Sequence, residues 1–306
     1  MAAFKAVRAV ILMDFSRWKT DLRIWFIFVF TAVLLFYYVS PLTSCGLDTG
    51  RRMTMCLLPV LFHSDTISLG SPKILFHIGM LLIFCDAPFF YPGKPYLILR
   101  SGKENWSMGE CLYIIAAAFV YLSFITLAAA LIALPIAEMK DTWNGVLTDI
   151  AFGTAERSRE QMTVLWPQHM ILPRQTLSYL YPSGSQLYTF LVVWGSFSMM
   201  GLLQYLVSLM TKKMLAGIAA AGSFVFIDPI LAWAAWPNRY WLLAFSPVCW
   251  TSIEQLNLLG TEHFISIPFV TVSSLVLLAV LILSVRAAGK KTELDGFRDQ
   301  EGITDD

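Results

Sequence analysis

Residues 187–210, LYTFLVVWGSFSMMGLLQYLVSLM, are joined by Thr211-Lys212-Lys213 to residues 214–236, MLAGIAAAGSFVFIDPILAWAAW. A helix crossing the hydrocarbon of a bilayer needs about 20 mainly apolar residues, because every backbone N–H and C=O must be satisfied inside the segment. Each run meets that length, and the three polar residues between them leave room only for a tight turn. The pair reads as two antiparallel transmembrane helices.

Four further segments extend the pattern, at 24–41, 74–90, 111–136 and 264–285, the second being the shortest. Pro135 and Pro229 fall within or at the end of spans, where kinks are tolerated. The expected fold class is an all-α polytopic membrane protein with six transmembrane helices over 24–285. Composition agrees: 57% of the residues are hydrophobic and 14% charged, against about 25% charged in soluble domains. The basic stretch 1–23 precedes a long aromatic run without an A-x-A-like site after Phe36-Tyr37-Tyr38, so the first span is read as retained rather than cleaved.

Orientation follows from where Lys and Arg sit. With the N-terminus inside, the inner segments hold 14 of them and the outer segments 8, although the outer loops are together the longer. Both termini are expected in the cytoplasm. Before the first span, Phe4, Val7, Ile11, Phe15, Trp18 and Leu22 recur every three or four residues opposite Lys5, Arg8, Ser16 and Lys19, the pattern of a helix lying in the inner interface. The loop 137–186 mixes charges, Trp143, Trp166 and several prolines, and reads as an ordered external excursion. Residues 286–306 read as a cytoplasmic tail. Cys45, Cys56 and Cys249 fall in segments expected outside, where either a disulfide or free thiols would be compatible with the sequence.

Chemistry is scarce. There is no G-x-x-x-x-G-K-[ST], so nucleotide phosphates have no cradle here. Neither H-E-x-x-H nor G-x-S-x-G occurs, the four histidines are scattered, and no metal, cofactor or catalytic residue is expected. The net charge of +1 gives no footprint for nucleic acid. Polar groups inside spans are few: Asp86, Gln204 and Asp228. Asp86 is expected to cap a helix or to pair with Arg100 or Lys103, Asp228 to serve the backbone groups exposed by Pro229, and Gln204 to bind helices together.

Two segments stand out. Tyr96 to Trp106, preceded by Pro92, Lys94 and Pro95, reads as a short amphipathic helix ending at Gly102 and facing the cytoplasm. Tyr240-Trp241-Leu242-Leu243-Ala244-Phe245-Ser246-Pro247-Val248-Cys249-Trp250 is too apolar for a free loop and too interrupted for a span, as in an interfacial or re-entrant element.

The order of these features, with Asp86-Ala87-Pro88-Phe89, the Arg100-Ser101-Gly102-Lys103 to Trp106 stretch and Phe245-Ser246-Pro247-Val248-Cys249-Trp250, resembles the permease subunits of bacterial ABC-2 type exporters. That resemblance implies a partner: two copies of a separate ABC ATP-binding subunit, which would carry ATP and Mg. It also implies a homodimer or a heterodimer with a sister permease, in the bacterial plasma membrane. The residues implied for coupling to the ATPase are Lys94, Arg100, Lys103 and Trp106. Tyr240, Phe245, Pro247 and Trp250 are implied at an external gate, in a re-entrant element between the fifth and sixth spans. Loop 137–186 is larger than the family's compact external loops. A secondary transporter or channel, which would show paired intramembrane charges, and a membrane immunity or signalling scaffold are the competing readings. The aromatic, Met-rich spans suit lipid-like or amphipathic cargo and plain helix packing equally.

Overall fold

The computed structural model describes residues 2–63, 71–89, 94–143, 145–152, 172, 174–235, 239–257 and 265–291. It is mostly helical. Among the described residues five helices are long and apolar enough to cross a membrane: α2 (Leu22–Thr49), α6 (Lys103–Ala133, continued by a 3₁₀ turn to Ile136), α9 (Pro182–Thr211), α10 (Met214–Ala235) and α11 (Ile267–Lys291). The segment expected at 74–90 departs from this. Its helix, α4, covers only Pro72–Ile83, and turns carry the chain on through Phe89. Twelve residues rise about 18 Å, short of the roughly 30 Å hydrocarbon core. Two helices run well past the expected spans, α2 continuing through Pro41 to Thr49 and α11 to Lys291.

Side-chain contacts fix the directions of these elements. Trp18 Nε1 donates to Tyr113 Oη at 2.8 Å, Thr31 Oγ1 meets Tyr121 Oη at 3.0 Å, and Thr43 Oγ1 donates to the Ile132 carbonyl at 3.3 Å. Positions rise together, so α2 and α6 are parallel, and the chain between them must run back. It does so through α4, whose Gly79 lies by Ile27 and whose following Asp86 meets Arg23. Helix α9 is antiparallel to α6, with Phe190 on Phe119 and Trp194 Nε1 donating to the Ile115 carbonyl at 2.9 Å. The turn at Lys212, in the left-handed region with φ 55°, reverses the chain into α10. Helix α11 returns beside α9 and ends where Gly289 touches Ser107, near the start of α6.

The six elements α2, α4, α6, α9, α10 and α11 therefore alternate in direction. One face of the bundle, here the lower, carries α1 (Ala2–Arg17), α5 (Lys94–Ser101), the Lys212 turn and the end of α11. The upper face carries β1 (Met53–Thr54) paired in parallel with β2 (Ala137–Glu138), α3 (Leu58–Leu61), α7 (Val146–Phe152), α8 (Arg174–Tyr179) and a run of 3₁₀ turns over Tyr240–Gln255. These pieces are tied together by Asp141 accepting from Ser183, Thr176 donating to Glu254, and Arg51 paired with Asp149. The described part of 137–186 holds β2, α7, α8 and the first turn of α9. Glu156, Arg157, Arg159, Glu160, Trp166 and Pro167 lie outside the described residues, as does the tail beyond Lys291.

Helix α9 is the central one, two thirds buried, whereas only 11% of the apolar stretch of α11 is covered. Trp25, Phe26, Val29, Phe30 and Phe36 of α2 and Leu275, Val276, Val280 and Leu283 of α11 face outward. An apolar belt of that size demands lipid or protein against it. In the interior, small residues let helices approach closely: a methyl group at Gly201 would collide with Phe84 and Ile114. Gly201→Val should therefore cost about 1–3 kcal/mol by overpacking, read as a lower melting temperature in detergent, while Gly184→Ala, with open space around it, should leave the melting temperature unchanged.

Candidate functional site: two buried charge clusters

The loop expected to expose Lys94, Arg100, Lys103 and Trp106 is divided by the structure. Helix α5 ends at Ser101, and Gly102, at φ 79°, breaks it from α6 in a conformation that glycine adopts without strain. Trp106 thus belongs to the first turn of α6. Arg100 and Lys103 are exposed, together with Tyr96 and Leu99, but Lys94 and Trp106 are fully buried. Their expected place on a docking surface is corrected: they are interior residues.

What surrounds Lys94 explains why. Its Nζ lies 3.3 Å from Asp14 Oδ1 and closer still to Glu110 Oε1, the same oxygen that accepts from Trp106 Nε1 at 2.7 Å. The ammonium also stands 5.5 Å above the Phe89 ring. An isolated charge in such a site is costly, and pairing is what makes its burial tolerable. One cation here serves two acids, from α1 and α6, and it arrives on α5. The arrangement fastens three elements at one point. Burial raises the Asp14 carboxyl above its ordinary range, against the pull of the Lys94 ammonium.

Of the expected apolar face of α1, Val7, Ile11, Phe15 and Trp18 are half-buried opposite the exposed Lys5, Arg8, Ser16 and Lys19, whereas Phe4 and Leu22 point outward; the face on the bundle centres on Val10, packed against Gly109, and on Asp14. Arg17, at the end of α1, and Arg23, in the first turn of α2, both contact Asp86, each at 3.1 Å. These are the partners of Asp86, in place of the expected Arg100 or Lys103. Gln204 Nε2 donates to the Phe84 carbonyl at 2.8 Å, closing the C-terminus of α4 from the centre of the bundle.

The second cluster lies toward the upper face. Lys73, expected in an external loop, is fully buried in the first turn of α4, with Nζ 2.9 and 3.0 Å from the two carboxylate oxygens of Asp228. Asp228 is thus an ion-pair partner, where a role for the backbone next to Pro229 was expected. His77, one turn along α4, has Nδ1 2.7 Å from the Lys73 carbonyl and Nε2 3.1 Å from Ser196 Oγ. A carbonyl can only accept, so Nδ1 carries the proton and Nε2 accepts from Ser196. Cys249 packs its thiol against Asp228 from the 3₁₀ run. Among the five cysteines there is no disulfide; Cys45 and Cys249 are buried.

That 3₁₀ run is packed into the bundle. Pro247, Val248, Cys249 and Trp250 are buried, Trp250 Nε1 donating to the Leu243 carbonyl at 3.1 Å, while Tyr240 is half-buried and Trp241 and Phe245 are exposed. The four residues expected to act together at a gate are split between anchor and surface.

No family model, curated protein or solved structure matches this chain. Among the described residues no three His, Cys, Asp or Glu converge as a metal site would require. Chemically, the two clusters can hold elements in register and transmit a displacement of one element to the others.

Sequence reasoning missed Asp14, Lys73, His77 and Glu110. The available signals were Asp14 inside an apolar stretch of α1 and Glu110 four residues after Trp106, the spacing of one helical face. Removing one partner of a buried pair costs about 3–5 kcal/mol. Lys94→Met should accordingly abolish most of the monodisperse protein recovered from membranes. Asp14→Asn, which leaves Lys94 and Glu110 matched one to one, should be recovered in near-parental yield. At the upper cluster, Asp228→Asn alone should lower the melting temperature more than the paired replacement of Lys73→Met with Asp228→Leu.

Proposed function

We propose that this chain is the membrane-spanning permease subunit of an ABC-2 type exporter that receives its energy from a separate ATP-binding subunit. The observation that carries the reading is α5, a short helix presenting Tyr96, Leu99 and Arg100 outward on the lower face, held from behind by the buried Lys94. An exposed aromatic, aliphatic and basic surface on a rigidly seated helix is suited to receive a soluble protein. Lys103, exposed in the first turn of α6, extends it.

In this reading α4 with its flanking turns is the sixth crossing, and both termini are cytoplasmic. The distribution of charge supports that orientation: among described residues, the lower-face segments hold thirteen Lys and Arg, and the upper-face segments six, Arg51, Arg52, Lys73, Lys140, Arg174 and Arg239. ATP and Mg reside on the partner. Closure of two ATPase subunits pushes on α5, and the Asp14–Lys94–Glu110 cluster passes that push to α1 and α6 together. Two permeases, alike or sister chains, complete the pathway. The 3₁₀ run near the upper face is the re-entrant element, with Trp241 and Phe245 toward the exit and Pro247 and Trp250 as its anchor.

A second reading is favoured by one observation, the buried Lys73–Asp228 pair with His77 beside it, since intramembrane ion pairs mark carriers that work on ion gradients. The two are separable. Under the exporter reading, the chain co-purifies with a soluble P-loop ATPase from its native membrane, and Arg100→Glu with Lys103→Glu abolishes that complex while membrane insertion is retained. Transport by the purified chain alone in vesicles, driven by an ion gradient without nucleotide, would overturn it.

A further inference from the structure

Among the described residues five side chains of Asp, Glu, Lys or Arg are buried in the bundle: Asp14, Lys73, Lys94, Glu110 and Asp228. Lys73 and Asp228 answer each other one to one. The remaining three do not balance, because the Lys94 ammonium faces the carboxyl groups of both Asp14 and Glu110. Ionised throughout, that cluster would hold one surplus negative charge away from water.

The surroundings do not supply a matching positive charge. Arg17, which acts on Asp14 from the end of α1, is engaged together with Arg23 by Asp86 and Asp21, two cations against two acids on a part-exposed site. The other titratable groups near the two acids are the Cys111 thiol and the Tyr113 phenol on α6 and the Tyr205 phenol on α9, all of them neutral forms at neutral pH. Arg286 of α11 lies toward Cys111 and Glu104. Within the cluster, Asp14 Oδ2 and Glu110 Oε2 are buried with no hydrogen-bond partner. A carboxylate stripped of water and only half bonded is costly, and the ordinary response of such a group is to take up a proton.

We propose that the Asp14–Lys94–Glu110 cluster is a proton-binding site: its two carboxyl groups hold one proton between them at neutral pH, and release of that proton to water at alkaline pH loosens α1 and α5 from α6. The proton belongs to the pair; whichever acid carries it, the other faces Lys94 as a carboxylate. With the proton in place the cluster is neutral, and α1 lies on α6 closely enough for Val10 to touch Gly109. Without it, like charges on α1 and α6 face one ammonium and favour separation of the two helices. The seating of α5 thereby depends on pH. The site requires only the geometry of the cluster, and it stands whether or not a soluble ATPase meets α5.

The sign of the effect follows from proton counting. The unfolded chain releases both carboxyl protons at about pH 4, whereas the folded chain keeps one. Above that pH the folded state binds more protons, so its stability falls as pH rises until the site itself ionises.

The test uses the full chain, purified in an ester-free detergent, with infrared spectra taken with and without isotope-labelled aspartate and glutamate. At neutral pH the parent should show the C=O band of a protonated carboxyl group, shifted by the label and lost on alkaline titration. Asp14→Asn and Glu110→Gln each leave a single acid for Lys94, and in each the band should be absent at neutral pH. Asp14→Glu, which keeps two acids on one ammonium, should retain it. From about pH 5 to about pH 9 the melting temperature should fall more steeply in the parent than in Asp14→Asn. Amide exchange in α1 and α5, corrected for its intrinsic pH dependence, should accelerate over that range in the parent alone. A parent spectrum without the band at neutral pH, a band that survives in either amide variant, or the same pH dependence of melting in parent and Asp14→Asn would overturn the site.

Discussion

An ammonium group shut away from water must be neutralised where it stands, and Lys94 meets that requirement by reaching two carboxylates on two other helices. Everything at the lower face is arranged around this. Helix α1 enters the bundle with an acid at its centre, α6 begins with Trp106 and Glu110 folded inward, and α5 is drawn against both. The same restriction acts near the upper face, where Lys73 and Asp228 join α4 to α10. Buried pairs of this kind contribute little net stability compared with apolar packing, but they penalise any arrangement in which the partners separate. They specify register.

Those two clusters also account for what was legible in the sequence. Long apolar runs exposed the five helices long enough to cross a membrane, because the hydrocarbon sets a characteristic length of apolar segment. The direction of α4 was legible too, since inner and outer loops must alternate. Its shortness was not: four of the six residues from Phe84 to Phe89 are apolar, and hydropathy does not distinguish a helical turn from buried turns sealed by Gln204 and Tyr113. Likewise, Lys94 and Trp106 look like surface residues by type. The burial of Lys94 depends on Asp14, eighty positions away, and no local pattern reports such a partner.

The lower face shows how one segment can be both anchored and available. Alternate residues of α5 divide its roles, with Lys94 and Ile98 turned inward and Tyr96, Leu99 and Arg100 outward. Because Gly102 uncouples α5 from the axis of α6, the two helices meet at an angle without either being bent. The link from α5 to α1 and α6 includes the charge pairs of Lys94, across a break in the helix at Gly102.

The brevity of α4 has a mechanical consequence. A regular transmembrane helix resists bending along its whole length, because each turn is braced by the next. Here α4 has twelve helical residues and passes at Phe84 into turns, an irregular backbone that the surrounding protein covers. Such an element is a stiff rod with a joint at its lower end. A change of angle at that joint leaves the helix itself unbent, while the ion pairs of Lys73 and Asp86 hold the two sides of the element to α10 and to Arg17 and Arg23.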